Sequence, residues 1–302
     1  MKRSLLIGLL AFLFFYALSY GLYVWLLKSL SVNTLKQESF TARYTRSGTW
    51  FMGDSHPLQA VLADSFPGAF NWASSSESYA LTYFKIKDLL EKGYHPNRIV
   101  LPLEYHSFSA QGCALWLGHE LDDVFWSSMA DFNDPDWQSE FTRWYVQARL
   151  APFAGQFYKL SRIGNRSHPE ISNAGHQKSR DIFCQNPDSA GIAGARIKSH
   201  FGKFHVVDST QIRLLNKILN LAAGRGIQVV LVRYPLSELY LKSVQSLPCS
   251  PLLERTIRAA SSGYKVLDFR TVFRNQPAYF SDPDHLNDAG AARFTRILNK
   301  EI

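Results

Sequence analysis

Cysteine is scarce in this 302-residue chain, and the spacings that bind metals are missing. Cys113, Cys184 and Cys249 lie far apart and form no CxxC or Cys/His pattern of the kind that holds zinc. A glycine-rich phosphate-binding loop is also absent. The sequence therefore predicts neither a metal nor an organic cofactor. A disulfide between two of the cysteines and three buried thiols are both compatible with this pattern.

Long runs of like charge are missing as well. The chain carries 33 basic and 25 acidic residues, a net charge of +8, and its basic residues are scattered. Because nucleic-acid binding favours clustered basic residues, we expect no nucleic-acid partner. The positive charge suits anionic polysaccharide or lipid headgroups instead. With 46% hydrophobic residues, the chain has enough apolar material for a large core.

The N-terminal apolar run SLLIGLLAFLFFYALSYGLYVWLL carries no charge. At about 1.5 Å per residue, a helix of roughly 24 residues crosses a hydrocarbon core of about 30 Å. The run is longer than the apolar part of a cleaved signal, about 7 to 15 residues. Residues 1–30 are therefore predicted to be a single uncleaved anchor in the inner (cytoplasmic) membrane. Basic residues on both sides give no clear positive-inside signal, and we expect the remaining chain to face the periplasmic or extracellular side.

Residues 31–47 are polar and mixed, which predicts a stalk between the anchor and a body at 48–302. In the body, strand-like and helix-like segments alternate. The predicted strands are 48–52, 68–73, 97–105, 227–235 and 264–269, and the predicted helices are 56–66, 74–93, 209–226, 251–263 and a final one after DHLNDAG. This alternation predicts an α/β fold with a central parallel sheet covered by helices on both faces.

An insertion at about 107–207 interrupts the alternation. Its first half, 122–163, is rich in Trp and Phe and helical in pattern, whereas 164–204 has little periodicity and is predicted to be loop. Insertions after a strand of an α/β sheet often lie over the strand ends, where ligands bind. A lid, a groove wall, a partner contact and a satellite core packed by its own aromatics are the alternatives.

The stretch GDSH at 53–56 places Ser55 at a predicted strand-to-helix turn, where several hydrolase folds present a nucleophile. Gly, Asp and Ser are also common turn residues, so a nucleophile here requires a base. In YFSDPDHLNDAGA, Asp282 precedes His285 by three positions, which allows the carboxylate to bond Nδ1 and leaves Nε2 free for a serine. Loops after parallel strands open at one sheet edge, so Ser55 and His285 are expected to meet. A plain cap for the last helix is the alternative.

These two blocks, GDSH and DPDH followed by LNDAGA, resemble the SGNH or GDSL hydrolase superfamily. The resemblance covers the body and implies a three-layer flavodoxin-like fold preceded by one transmembrane helix. It also implies a catalytic triad with Ser55 as nucleophile, His285 as base and Asp282 as the orienting acid. Asp284 is the rival for the acid, although its position beside His285 makes the return bond harder.

Two other blocks depart from the family pattern. The glycine that normally offers an oxyanion amide is replaced within NWASSSESY, where Ser74, Ser75 or Ser76 must supply the donor. The third block has no Asn, and VLPLEYHSF puts Glu104, Tyr105 or His106 in its place. Loss of one oxyanion donor costs about a hundredfold to a thousandfold in rate. The predicted oxyanion and pocket residues are Asp54, Ser75, Ser76, Glu104, His106 and Arg233, the last as a holder of anionic substrate.

The anchor and the altered blocks resemble the membrane-anchored SGNH-like proteins of cell-envelope acylation, which act in alginate or peptidoglycan O-acetylation, and the related D-alanyl transfer proteins. This likeness implies that an acyl group, often acetyl, passes to Ser55 and then to a glycan hydroxyl, next to a membrane-bound O-acyltransferase. A cell-envelope polysaccharide is then the expected partner. An anchored esterase or deacetylase and a noncatalytic glycan-binding subunit are the alternatives.

Overall fold

The computed structural model describes residues 2–30, 32–43, 48–109, 170–202 and 207–302. The five strands of these ranges are β1 Thr49–Phe51, β2 Phe70–Asn71, β3 Arg98–Pro102, β4 Gln228–Arg233 and β5 Lys265–Asp268. Their helices are α1 Lys2–Leu30, α2 Val32–Arg43, α3 Ser55–Ala60, α4 Tyr79–Glu91, α5 Ser189–Phe201, α6 Ser209–Ala223, α7 Glu238–Gln245, α8 Ser250–Ala260 and α9 Asp288–Leu298. The aromatic half of the insertion and Cys113 lie outside the described residues.

The five strands form one parallel sheet in the order β2-β1-β3-β4-β5. The expected α/β fold with a central parallel sheet is confirmed. From β1 the chain moves outward to β2 and then returns to place β3 on the other side of β1. In sheets of this order, ligands bind outside the carboxyl ends of the strands at such a reversal point.

Alternation along the strands fills the core on both sheet faces, because successive side chains of a strand point in opposite directions. Trp50 and Ile99 enter a core shared with α4, α6 and α8, whereas Phe51 and Val100 enter a core shared with α9. All four are fully buried. Replacing one such aromatic side chain by Ala costs about 3 to 5 kcal/mol.

The segment expected to be a stalk is a helix packed on the body. In α2, Phe40 is buried and makes edge contacts with the rings of Trp50, Phe70 and Trp72. The ammonium of Lys36 is also buried and donates to the carbonyl of Asn71 at 2.9 Å and to that of Ala73. Two well-spaced residues of this polar segment thus fix α2 to the core, within the range 31–47 for which the sequence predicted a stalk.

Several element boundaries also differ from expectation. The helix predicted for 56–66 ends at Ala60, because the Asn71 amide donates to the carbonyls of Pro57 and Val61. The helix predicted for 74–93 begins only at Tyr79, after Ser76 adopts a positive φ of 59°. The segment 164–204, predicted to be loop, contains α5.

Candidate active site

A tight turn after β1 presents Ser55 at the carboxyl edge of the sheet. Gly53 has φ of +108°, and a Cβ there would lie 2.4 Å from the ring of Pro102, so the turn requires glycine. Asp54 then caps α3 by accepting the backbone N–H of His56 at 2.9 Å. Ser55 therefore starts the helix with its hydroxyl at the edge of the sheet.

The DPDH loop brings His285 to this serine. Asp282 accepts the backbone N–H groups of Asp284 at 3.0 Å and His285 at 2.8 Å, a local turn that fixes the loop. Its second oxygen lies 2.6 Å from Nδ1 of His285, and Nε2 of His285 lies 2.7 Å from Oγ of Ser55. The structure thus places the three predicted catalytic side chains in hydrogen-bonded sequence.

Asp284 holds a different position from Asp282. It is 1% exposed, and its nearer oxygen lies 3.9 Å from Nδ1 of His285, beyond hydrogen-bond distance. Instead it accepts from Nε of Arg196 at 2.7 Å and lies 3.1 Å from Nε2 of His56. Burial favours the neutral acid, but His285 and Arg196 outweigh burial and hold the pKa of Asp284 well below its usual value.

His56 lies between two carboxylates. Its Nε2 contacts Asp284, and its Nδ1 lies 3.5 Å from Glu104. Burial disfavours the imidazolium, yet Glu104 and Asp284 prevail and raise the pKa of His56 well above its usual value. His56 is therefore a buried imidazole whose two carboxylate neighbours favour its charged form, and its contact with Asp284 joins the serine turn to the DPDH loop.

His106 and His200 form a second layer of imidazoles. His106 Nε2 lies 2.7 Å from Asp54, and its ring stacks on that of His200 with centroids 4.4 Å apart. Burial raises the pKa of Asp54, but the nearby His106 and His56 lower it by more than burial raises it. The pKa of Asp54 therefore falls from 3.8 to about 2. Burial, with the nearby His106, lowers the pKa of His200 well below its usual value, so His200 is neutral. Its Nδ1 shares a 2.6 Å hydrogen bond with the hydroxyl of Tyr240.

Sequence reasoning missed α5, which supplies Arg196 and His200 to the site. The guanidinium of Arg196 lies 3.2 Å from Nε2 and 3.4 Å from Nδ1 of His285. The apolar side chains Ala193, Ile197 and Phe201 are buried at spacings of four residues. That helical spacing was the available signal, and the two internal glycines of the segment obscured it.

Three of the predicted pocket residues do not line the cavity next to Ser55. Glu104 is buried behind the site, where it accepts the backbone N–H of Tyr234 at 2.6 Å. Arg233 donates to both oxygens of Glu254, at 3.0 and 3.3 Å, so it is not free to hold an anion. The residues that line the cavity next to Ser55 include Asp54, Ser76 and His106 but not Ser75.

Two groups of side chains in the described ranges have the ligand spacing of a metal site: Asp54 with His56 and His106, and His56 with Asp284 and His285. Most of these atoms already have protein partners: Asp54 lies 2.7 Å from His106, His56 lies 3.1 Å from Asp284, and His285 bonds Asp282 and Ser55. The pKa of His56 is raised, and neutral imidazole is the form that binds metals. The donor set therefore fits a hydrogen-bonded network better than a metal.

Comparison with known proteins adds little to this geometry. The chain matches no family model, and no curated protein matches it. Among solved structures it is similar to one from Bacteroides fragilis NCTC 9343 described as a "putative acylhydrolase". The two share 11% identity over 88% of this chain and 92% of that chain, with a TM-score of 0.41. We therefore base the assignment of the site on its atomic contacts.

Proposed function

We propose that this protein is a serine-dependent acyl-transfer enzyme of the SGNH type. The observation that carries the proposal is the chain of contacts from Ser55 Oγ through His285 to Asp282, at 2.7 and 2.6 Å. A noncatalytic binding subunit has no need of this alignment. The motifs around Ser55 and His285 support the same assignment, since they resemble the first and last blocks of that superfamily.

In the first half of the reaction, Ser55 Oγ attacks the acyl carbonyl of a donor ester. His285 takes the serine proton at Nε2, and Asp282 stabilises the resulting imidazolium through Nδ1–H. His285 then gives the proton to the departing donor alcohol, leaving an acyl-Ser55 ester. Ser74 donates its N–H to Gly53 at 2.9 Å and Ser75 does not line the cavity, so we assign the oxyanion amide to Ser76.

In the second half, an acceptor hydroxyl takes the place of the donor alcohol. His285 removes the proton of this hydroxyl and returns it to Ser55 Oγ through Nε2, as the acyl group passes from Ser55 to the acceptor oxygen. A sugar hydroxyl as acceptor gives an O-acyltransferase, whereas water gives an esterase or deacetylase. We propose transfer of a short acyl group, acetyl above all, to a cell-envelope glycan, with the esterase as the second candidate.

The N-terminus supports an envelope location. Within the described residues one helix, at Ser4–Leu22 of α1, is long and apolar enough to cross a membrane, and its large side chains such as Leu5 and Phe12 are exposed. We propose that residues 1–30 anchor the chain in the inner membrane, that residues 48–302 form an SGNH-like domain in the periplasm, and that α2 couples the two. A membrane-bound O-acyltransferase is the proposed source of acyl groups.

The orientation has a built-in probe. Cys184 is free and exposed, whereas Cys249 is partly buried. In cells with a permeabilised outer membrane and a chain that carries Cys113→Ser, a maleimide that cannot cross the inner membrane should label Cys184, and Cys184→Ser should remove most of the label. Labelling only after the inner membrane is lysed would place the body in the cytoplasm and contradict the proposed location.

The reaction is tested by intact mass of the detergent-solubilised full-length chain after incubation with p-nitrophenyl acetate. We expect a gain of one acetyl group on a peptide containing Ser55, with Ser55→Ala unlabelled and folded. Ser65→Ala, which removes an exposed serine outside the site, is the matched control. Absence of both adduct and p-nitrophenol release from a folded protein would contradict the proposed function.

A further inference from the structure

The cavity next to Ser55 extends inward between α4, α5 and α6. Its lining includes Ser55 at one side and Ser78, Thr82 and Gln211 at another, and its volume is about 90 Å³. By this measure a single water needs about 10 to 15 Å³, so the cavity has room for about six waters. That space exceeds the needs of an acetyl methyl and approaches those of one sugar ring.

Within the described residues, two buried polar groups of this lining have no hydrogen-bond partner. Gln211 is 2% exposed, and its Nε2 has no hydrogen bond among the described residues. The same holds for the buried hydroxyl of Ser78. Native proteins leave few such groups unpaired, because each one loses its hydrogen bonds to water on burial. The structure therefore points to a ligand that supplies the missing oxygen atoms.

The start of α4 adds further donors. Ser78 holds the N-cap position, where a serine usually accepts a backbone N–H, but its side chain makes no cap hydrogen bond. The first turn of α4 also contains no acidic residue. The Ser78 hydroxyl thus lies at the N-terminal end of α4, and the N-terminus of a helix favours oxygen acceptors.

The charged groups of the lining are already compensated within the protein. Glu77 bonds Lys85 at 2.5 Å, Asp54 bonds His106 at 2.7 Å, and Arg196 bonds Asp284 at 2.7 Å. The groups left to bond a ligand are neutral: a primary amide, hydroxyls and backbone N–H. A neutral, hydroxyl-bearing ligand satisfies them without bringing an uncompensated charge into the cavity.

We propose that this inner part of the cavity binds one neutral sugar ring of the glycan, with the Gln211 amide and the Ser78 hydroxyl as its specificity-determining contacts. The inference rests on the proposed function, since the ring must be held where a hydroxyl reaches the acyl group on Ser55. Gln211 donates to a ring or hydroxyl oxygen, and Ser78 bonds a second hydroxyl. The inner cavity thereby selects the acceptor, whereas the triad performs the transfer.

The test is Gln211→Met in the detergent-solubilised full-length chain, because methionine matches glutamine in shape and lacks its hydrogen bonds. Binding of methyl glucoside, methyl mannoside and N-acetylglucosamine is measured by saturation-transfer NMR, with glycerol as a ring-free polyol. We expect at least one sugar to bind the native chain and to lose about tenfold in affinity in Gln211→Met. Asn216→Met, at an exposed amide of the same helix, should leave binding unchanged.

Two further readouts separate this inference from the proposed reaction. Acetylation of Ser55 by p-nitrophenyl acetate in the absence of sugar is followed in the native chain, and the melting temperature of Gln211→Met should be unchanged or higher, since an unpaired buried amide nitrogen is removed. No sugar binding to the native chain, or equal binding by Gln211→Met, overturns the inference even when Ser55 is acetylated. Sugar binding that depends on Gln211 without any acetylation supports the sugar site and contradicts only the reaction.

Discussion

Two clusters of charged side chains lie at the carboxyl edge of the same sheet. The serine site consists of Ser55, Asp282, His285, Asp284 and Arg196. The arginine cluster consists of Arg233, Arg270, Glu254, Asp268 and Tyr105. In the arginine cluster, Glu254 bonds both guanidinium groups, and Arg233 and Arg270 lie over the Tyr105 ring at 4.7 and 5.2 Å. The charged side chains of the arginine cluster thus form ion pairs with one another.

The serine site differs from the arginine cluster because it borders a cavity. Ser55 and His285 are aligned at this cavity, and Ser78 and Gln211, whose polar atoms have no partner among the described residues, also line it. Both clusters have many charges and strong pKa shifts, so neither property separates a reactive site from a structural one. What distinguishes the serine site from the arginine cluster is that it combines an aligned Ser55 hydroxyl with open space.

The largest expected effect on kcat/KM comes from a substitution that disables only the serine site. His285→Ala should lower kcat/KM for p-nitrophenyl acetate by about 10⁴-fold to 10⁶-fold, because the serine loses its base. The same substitution also removes the hydrogen bonds of the imidazole to Asp282 and Ser55, so the kinetics are measured below the melting temperature of the variant. Turnover that persists within tenfold of the native value would show that Ser55 acts without His285.

A comparison of the two aspartates sharpens this result within the serine site. Asp282→Asn should lower kcat/KM by about 10³-fold to 10⁴-fold at nearly constant stability, because the imidazole loses its orienting acceptor. Asp284→Asn should instead destabilise the fold by about 3 kcal/mol, because Arg196 and His56 lose their buried partner. Steady-state kinetics below the melting temperature and a thermal melt separate the two. The reverse assignment of effects would identify Asp284 as the acid.

Acid titration compares Asp54, which lies next to the serine site, with Glu254 of the arginine cluster. The pKa of Asp54 is lowered from 3.8 to about 2. Partial burial raises the pKa of Glu254, but Arg233 and its neighbours lower it by more, from 4.5 to about 2. Stability from a depressed acid is present above its unfolded pKa and is lost as the pH falls through the folded one. For the buried Asp54 this amounts to roughly 2 to 3 kcal/mol.

We therefore expect unfolding free energy to fall between about pH 4 and pH 2, and Asp54→Asn to flatten this fall. Glu254→Gln should flatten it less, because solvent screens a partly exposed pair. Denaturant titrations at pH 6 and pH 3 measure both. An unchanged pH slope in Asp54→Asn would contradict the bond between Asp54 and His106.

The smallest expected effect on activity comes from the arginine cluster. Arg233→Met should cost about 2 kcal/mol of stability, because Glu254 loses two hydrogen bonds at a partly buried site. The value of kcat/KM should stay within about threefold, since Arg233 does not line the cavity. A hundredfold loss of kcat/KM at full stability would instead indicate that Arg233 contacts the substrate.

Local sequence patterns predicted the parts of the site that depend on local geometry. Ser55 follows from a strand-to-helix turn, and Asp282 and His285 follow from the reach of a carboxylate three residues before a histidine. The alternation of strands and helices likewise predicted the parallel sheet that brings the two loops together.

Long-range packing determines the parts that sequence reasoning missed. Arg233 pairs with Glu254 of α8, and no spacing in the sequence connects the two. Gln211 and Arg196 become cavity residues only because α6 packs next to α4 and α5 packs next to α7. Phe40 is buried because four aromatic rings of the body surround it, although its own segment is polar.

The central claim is that His285 activates Ser55, and the most direct measurement is labelling of the full-length chain by a small fluorophosphonate with peptide mapping. We predict one label per chain, on Ser55, at a rate that falls at least a thousandfold in His285→Ala and little in Arg233→Met. A label on another residue, or equal labelling of Ser55 in His285→Ala, would contradict the account.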